Sequence, residues 1–124
     1  MLRDDLYTVA TLDHLDGRIS ATLEINQQHE IFKGHFPSQP VLPGACMLQM
    51  VKEVLESVLG KSLRLKKADH LKFLAVVDPS VNNMLELALT YVRVEDALNV
   101  AASLATGDKV CLKMKGSFFI LETD

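Results

Sequence analysis

The residue types able to do chemistry gather in one stretch, Gly34 to Met50, which reads GHFPSQPVLPGACMLQM. It holds three of the chain's four prolines and one of its four histidines, His35. A neutral imidazole accepts a proton at physiological pH. Pro43-Gly44 reads as a helix start, because proline is favoured at the first helical position, where its missing N–H costs nothing. The first N–H groups of a helix have no partner within it and can meet negative charge. Gln49, further along, can form hydrogen bonds but cannot deliver a proton. Plainer readings stand beside these: His35 can cap a tight turn, the prolines can stiffen a loop, and Gln49 shares a polar stripe with Glu53 and Glu56 that would face solvent.

Other reactive types are more scattered. Cys46 and Cys111 lie in apolar runs without metal-ligand spacing. They read as buried free thiols in a reducing cytoplasm, although a disulfide between them stays open. Cys46, near the helix start, could also have a lowered pKa. His14, His29 and His70 are spread out, and no metal is expected. Arg64, Lys33, Lys66, Lys67 and Lys72 form a local basic excess in a chain of net charge −3. They read either as a solvated face or as a docking patch for an acidic partner.

The elements that must position these residues follow from periodicity. LYTVATLDH and GRISATLEI have strand character and flank Asp16-Gly17, a hairpin signal. A mostly irregular segment follows. The helix is expected from Pro43 to about Leu59, ended by Gly60. Met47, Val51, Val54 and Val58 form its apolar stripe, widened by Leu48 and Leu55, so the helix should be largely enclosed. Then come LRLKKADHLKFLAVV, ending at Asp78-Pro79, then MLELALTYVRV, ALNVAASLAT and KVCLKMKGSFFIL. In the last of these, Val110, Leu112 and Met114 should face one way, and Lys109, Cys111, Lys113 and Lys115 the other. Grouped strands with a single enclosed helix imply an α+β domain. A curved antiparallel sheet wrapped around one long central helix, the hot-dog architecture, is the economical arrangement.

Length and composition set the outer bounds. The 124 residues are expected to form one domain, 1–124, long enough to bury a core without staples. Apolar residues are 48% and charged residues 23%, a globular balance. The charge balance gives no nucleic-acid footprint. No run of about 18 apolar residues indicates a membrane span, and MLRDDLYTVA lacks an apolar signal region. A cytoplasmic protein is expected.

HEIFKGHFPSQPVLPGACMLQM resembles the signature of the bacterial 3-hydroxyacyl carrier-protein dehydratases. Gly34, His35, Phe36, Pro37, Pro40, Val41, Pro43 and Gly44 match it in register. ADHLKFLAVVDPS is similar, more loosely, to the family's strand with a Lys-Phe pair. The leading segment of many members, with its PHR-type motif, is missing. The resemblance implies a hot-dog dimer with one sheet continuing across both subunits. It implies an active site at the dimer interface, where a loop histidine faces a carboxylate from the partner's helix. His35 matches the histidine. Gln49 stands where the family has Glu or Asp.

On that resemblance His35 would remove the C2 proton of a 3-hydroxyacyl thioester, the Gly44 N–H would stabilise the enolate oxygen, and Gln49 would orient the leaving hydroxyl. Phe36, Pro43, Ala45, Met47 and Met50 would line the acyl site. The missing acid leaves three routes. His35 can itself carry the proton to the hydroxyl. Another acid can stand in, Glu53 one turn along or, less constrained, Asp69, His14 or His29. Or the chemistry is lost or changed, giving an acyl thioesterase or a silent acyl-binding subunit paired with an active paralogue. An acyl carrier protein is the expected partner, in a homodimer, a heterodimer or a higher oligomer. No cofactor is expected beyond the substrate's own phosphopantetheine.

Overall fold

The computed structural model describes residues 1–33 and 40–121. Six strands and one long helix follow in the order β1 (Tyr7–Leu15), β2 (Arg18–Ile25), a short 3-10 turn at Glu30–Phe32, α1 (Gly44–Leu59), β3 (Ser62–Phe73), β4 (Met84–Val94), β5 (Ala97–Thr106) and β6 (Lys109–Leu121). The strands make one sheet in the order β1-β2-β4-β5-β6-β3. Every neighbouring pair is antiparallel. β1 and β2 are joined by the expected two-residue turn, with φ of 45° at Asp16 and 76° at Gly17. That double positive φ suits the twist of a hairpin.

Alternation along the strands builds the core. Leu85, Leu87 and Leu89 of β4, Leu98, Val100, Ala102 and Leu104 of β5, and Leu112, Met114 and Phe118 of β6 are all buried. They cluster with Met47, Met50, Val51, Val54 and Leu55 of α1. The helix therefore lies against one face of the sheet, and the other face carries mainly polar and small residues, with Val92 exposed among them. The edge strand β3 departs from this pattern, with only Leu63 buried along its length.

Several expectations change in detail. Pro43 is the residue before the helix rather than its first turn, with extended ψ of 144°, and Gly60 ends the helix in left-handed conformation at φ 64°. β3 stops at Phe73, short of the turn at Asp78-Pro79. The chain beyond it is held by Leu74 N–H donating to Cys111 O at 2.8 Å and Leu42 N–H donating to Val77 O at 2.9 Å. Cys111 does not share the lysine face. The β5–β6 register slips between Leu104 and Ala105, whose partners are Leu112 and Val110. A bulge at Cys111 turns its side chain inward, where it is fully buried. Both cysteines are free thiols.

Candidate active site

His35 and Phe36, the expected base and its neighbour, lie outside the described residues. The helix start that follows them is well defined. Among the described residues no side chain caps the Pro43 position, and neither the Gly44 nor the Ala45 N–H has an acceptor. Such N–H groups carry the positive end of the helix dipole. A Cβ on Gly44 would lie 2.7 Å from the Phe73 ring. The group that approaches Gly44 here is thus the chain's own Phe73, half-exposed at the end of β3. Pro43 is half-buried, Ala45 exposed, and Met47 and Met50 sit in the core. Burial pushes the Cys46 thiol pKa up, so the helix start does not activate it.

Gln49 is half-buried, and its Nε2 donates to Glu53 Oε2 at 2.8 Å. Glu53 was expected on a polar stripe, as a solvated residue or a substitute acid. It is instead fully buried, and it is the single buried charged side chain among the described residues. Its carboxylate collects the start of the chain. The Leu2 N–H donates to Oε1 and Oε2 at 3.1 and 2.9 Å, the Arg3 N–H to Oε1 at 2.9 Å, and the Tyr7 hydroxyl to Oε1 at 3.1 Å. Burial by itself raises the pKa of Glu53, but hydrogen bonds from Leu2, Gln49, Arg3 and Tyr7 outweigh it and hold the carboxyl below its usual range. Tyr7 moves the opposite way: burial first, then the charge and hydrogen bond of Glu53, push its phenol well up. Glu53 is therefore a carboxylate with its lone pairs committed, not a proton donor.

The other proposed stand-in acids have local partners. His14 Nε2 meets the Tyr91 hydroxyl at 2.6 Å. His29 Nδ1 accepts from the Ile31 N–H at 3.0 Å, which leaves Nε2 as the protonated nitrogen facing Asp5 Oδ2 at 3.1 Å. Asp69 pairs with Lys67 at 3.2 Å on the surface. Among the described residues no group of three or more His, Cys, Asp or Glu could hold a metal ion, and no helix is long and apolar enough to cross a membrane.

The basic residues separate into two groups. Arg64 and Lys66 each stand 5.2 Å from the centre of the Phe119 ring. Lys72 joins His70, Lys113 and Lys115, which the sequence pattern did not connect with it. On the sheet face away from α1, Ala88–Ser103–Lys113–Lys72 and Thr90–Ala101–Lys115–His70 run as two rows across β4, β5, β6 and β3. Together they line a groove of about 520 Å³ that has no acidic residue in its walls.

A six-stranded antiparallel sheet with one long helix on its inner face is the hot-dog fold. Its solved neighbours include the dehydratase heterocomplex ApeI:P from Xenorhabdus doucetiae, with a TM-score of 0.73 and 20% identity over 91% of this chain and 97% of that one. A family model described as ApeI-like, ApeI dehydratase, matches residues 12–113, and the chain belongs to this family. Among curated relatives, the 3-hydroxyacyl-[acyl-carrier-protein] dehydratase FabZ of Oenococcus oeni is 30% identical over 103 residues, covering 76% of this chain and 73% of the relative. FabZ of Pediococcus pentosaceus is 27% identical over 131 residues, covering 95% and 87%.

Proposed function

We propose that this chain is a dehydratase-like protein acting on 3-hydroxyacyl thioesters carried by an acyl carrier protein, in fatty-acid or related lipid or polyketide synthesis in the cytoplasm. The observation that carries the reading is the helix start. In a chain of the ApeI-like dehydratase family, the His35 motif runs straight into N–H groups that have no acceptor among the described residues. His35 takes the C2 proton, and the C2–H electrons delocalise toward the thioester oxygen, which meets the Gly44 N–H. The C2=C3 bond then forms as the C3–O bond breaks. The departing hydroxide receives the proton back from the His35 imidazolium and leaves as water. Gln49 holds the hydroxyl by a hydrogen bond. No dissociable cofactor enters beyond the pantetheine of the substrate.

The state of Glu53 favours a second reading. With that carboxylate committed, α1 offers no acid beside Gln49, so the chain would suit a subunit paired with a paralogue that keeps its own acid. The β3 edge supports pairing of either kind. Leu65, Leu71, Phe73, Leu74 and Val76 are exposed along it and just beyond it, a seam on which a second sheet could continue. The groove at Lys72, Lys113 and Lys115 supports an acidic carrier-protein partner. Like charges opposite one another in a ladder cost up to ~1 kcal/mol per pair, which an anionic surface offsets.

Mass spectrometry of 3-hydroxyacyl carrier-protein substrate incubated with the purified chain tests both readings. Loss of one water by the wild type, abolished in His35→Ala, is the expected result for the enzyme. Turnover that needs an added paralogue establishes the subunit. No turnover alone or in any pairing overturns the dehydratase assignment.

A further inference from the structure

The geometry points to Glu53 as a positioning residue that fixes the Gln49 amide with its nitrogen inward, so that Gln49 offers the site its carbonyl oxygen and accepts a hydrogen bond from the 3-hydroxyl of the substrate. This rests on the 3-hydroxyacyl reading above and specifies which groups that site selects.

The direction of the amide follows from chemistry. An ionised carboxylate only accepts hydrogen bonds. The Gln49 atom 2.8 Å from Glu53 Oε2 must therefore be the nitrogen. Glu53 cannot swing to release it, since Leu2, Arg3 and Tyr7 hold the same carboxylate from a different part of the chain. The remaining face of the amide carries Oε1. A hydroxyl meeting an acceptor donates its own proton to it. Its lone pairs then face elsewhere, free to receive the proton that must arrive before it can leave as water. An acid at position 49 would supply that proton, whereas the clamped amide accepts instead and leaves the lone pairs open to another donor. The same orientation selects for substrate. A 3-hydroxyl can donate to Oε1, but a 3-oxo group has no proton to donate. A site that depends on a substrate hydroxyl rejects the analogue lacking it.

Two measurements test this, one without turnover. Gln49→Glu sets a second carboxyl against Glu53 at hydrogen-bond distance. Two such groups cannot both ionise cheaply, so they share a proton and titrate as a pair. NMR titration of 13C-labelled glutamate side chains should show one of the two carboxyls titrating well above the value of about 4.3 for an ordinary glutamate. Two carboxyls titrating in the ordinary range would overturn the clamp. A Gln49→Glu protein folded at pH 5 that unfolds as the pH rises to 8 supports it, because the raised pKa of a folded carboxyl removes stability above its unfolded value. In the second measurement, 3-hydroxyacyl pantetheine thioesters should bind the wild type at least tenfold more tightly than 3-oxoacyl ones. Glu53→Gln, which lets either end of the amide face outward, should erase the preference while binding of the unsubstituted acyl thioester is kept. Equal binding of both by the wild type would overturn the acceptor role. Binding with the expected preference but no turnover would remove the dehydratase reading and leave the clamp standing, so the two fail separately.

Discussion

Replacing Glu53 by alanine is the most searching perturbation of this structure. The carboxylate serves four donors: the Leu2 and Arg3 N–H groups, the Tyr7 hydroxyl and the Gln49 amide. Hydrogen bonds to a charged group contribute about 1.5–3 kcal/mol each in isolation. They are not additive here, because the chain start can shift and admit water once the carboxylate is gone. A loss of about 3 kcal/mol is expected for Glu53→Ala, a large share of the ~5–15 kcal/mol that holds a domain of ordinary stability. Glu53→Gln keeps one acceptor oxygen but sets its amide against a donor, and should cost about 1.5–3 kcal/mol. The pH dependence has a definite sign. Because the folded carboxyl is held below its usual range, its contribution is fully present above the unfolded value of about 4.3 and is lost as the pH falls through the lower folded value. The gap between wild type and Glu53→Gln should therefore narrow on acidification. Urea unfolding at fixed protein concentration, at pH 7 and in steps down to pH 3, measures both effects. A gap below ~0.5 kcal/mol at pH 7, or one that widens as the pH falls, would refute the account of Glu53 as a buried, ionised anchor.

Two other expectations rest on separate features. A Cβ on Gly116 would collide with the backbone oxygen of Lys67 and lie 3.2 Å from the Ala68 Cα; backbone cannot swing aside, so Gly116→Ala should destabilise the chain by roughly 3 kcal/mol, read as a lowered urea midpoint, and an unchanged midpoint would show that β3 is free to move away. Burial raises both thiol pKa values, and Cys111 has no exposed surface, so Ellman's reagent at pH 8 should label Cys46 slowly and Cys111 only after denaturant is added; fast labelling of both in the native protein would contradict the packing around them.

Elements with strong local signals were legible in the sequence. The Asp16-Gly17 hairpin, the helix ending at Gly60 and the strands on either side of Gly107-Asp108 follow from turn chemistry and a two- or 3.6-residue period. Those signals depend on neighbours in the chain. Where a tertiary contact decides, the sequence misleads. Alternation placed Cys111 among lysines, because a bulge is set by the register against β5 and not by the strand's own pattern. The apolar run after Phe73 looked like a continuing strand. It leaves the sheet because, after Leu74 still donates to Cys111 of β6, the Val77 carbonyl is taken by the Leu42 N–H ahead of the helix.

The site divides in the same way. The spacing of His35, Pro43 and Gly44 is local and carried the resemblance. The relation of Gln49 to Glu53 is also local, one helical turn apart, yet its meaning is not. On the helix alone the two residues read as a polar stripe, and burial of a glutamate there would count as an error of folding. What makes it tolerable is a set of donors brought from some fifty positions away, two of them backbone groups that no side-chain pattern records. The resemblance could therefore imply that Gln49 stands in place of an acid, but the sequence could not tell that a neighbouring acid is present and chemically spent. An ionised, saturated Glu53 removes the obvious stand-in. In the proposed dehydration the proton for the leaving hydroxyl would then come from the histidine or from another subunit, and the proposed orientation of one clamped amide would keep either route open.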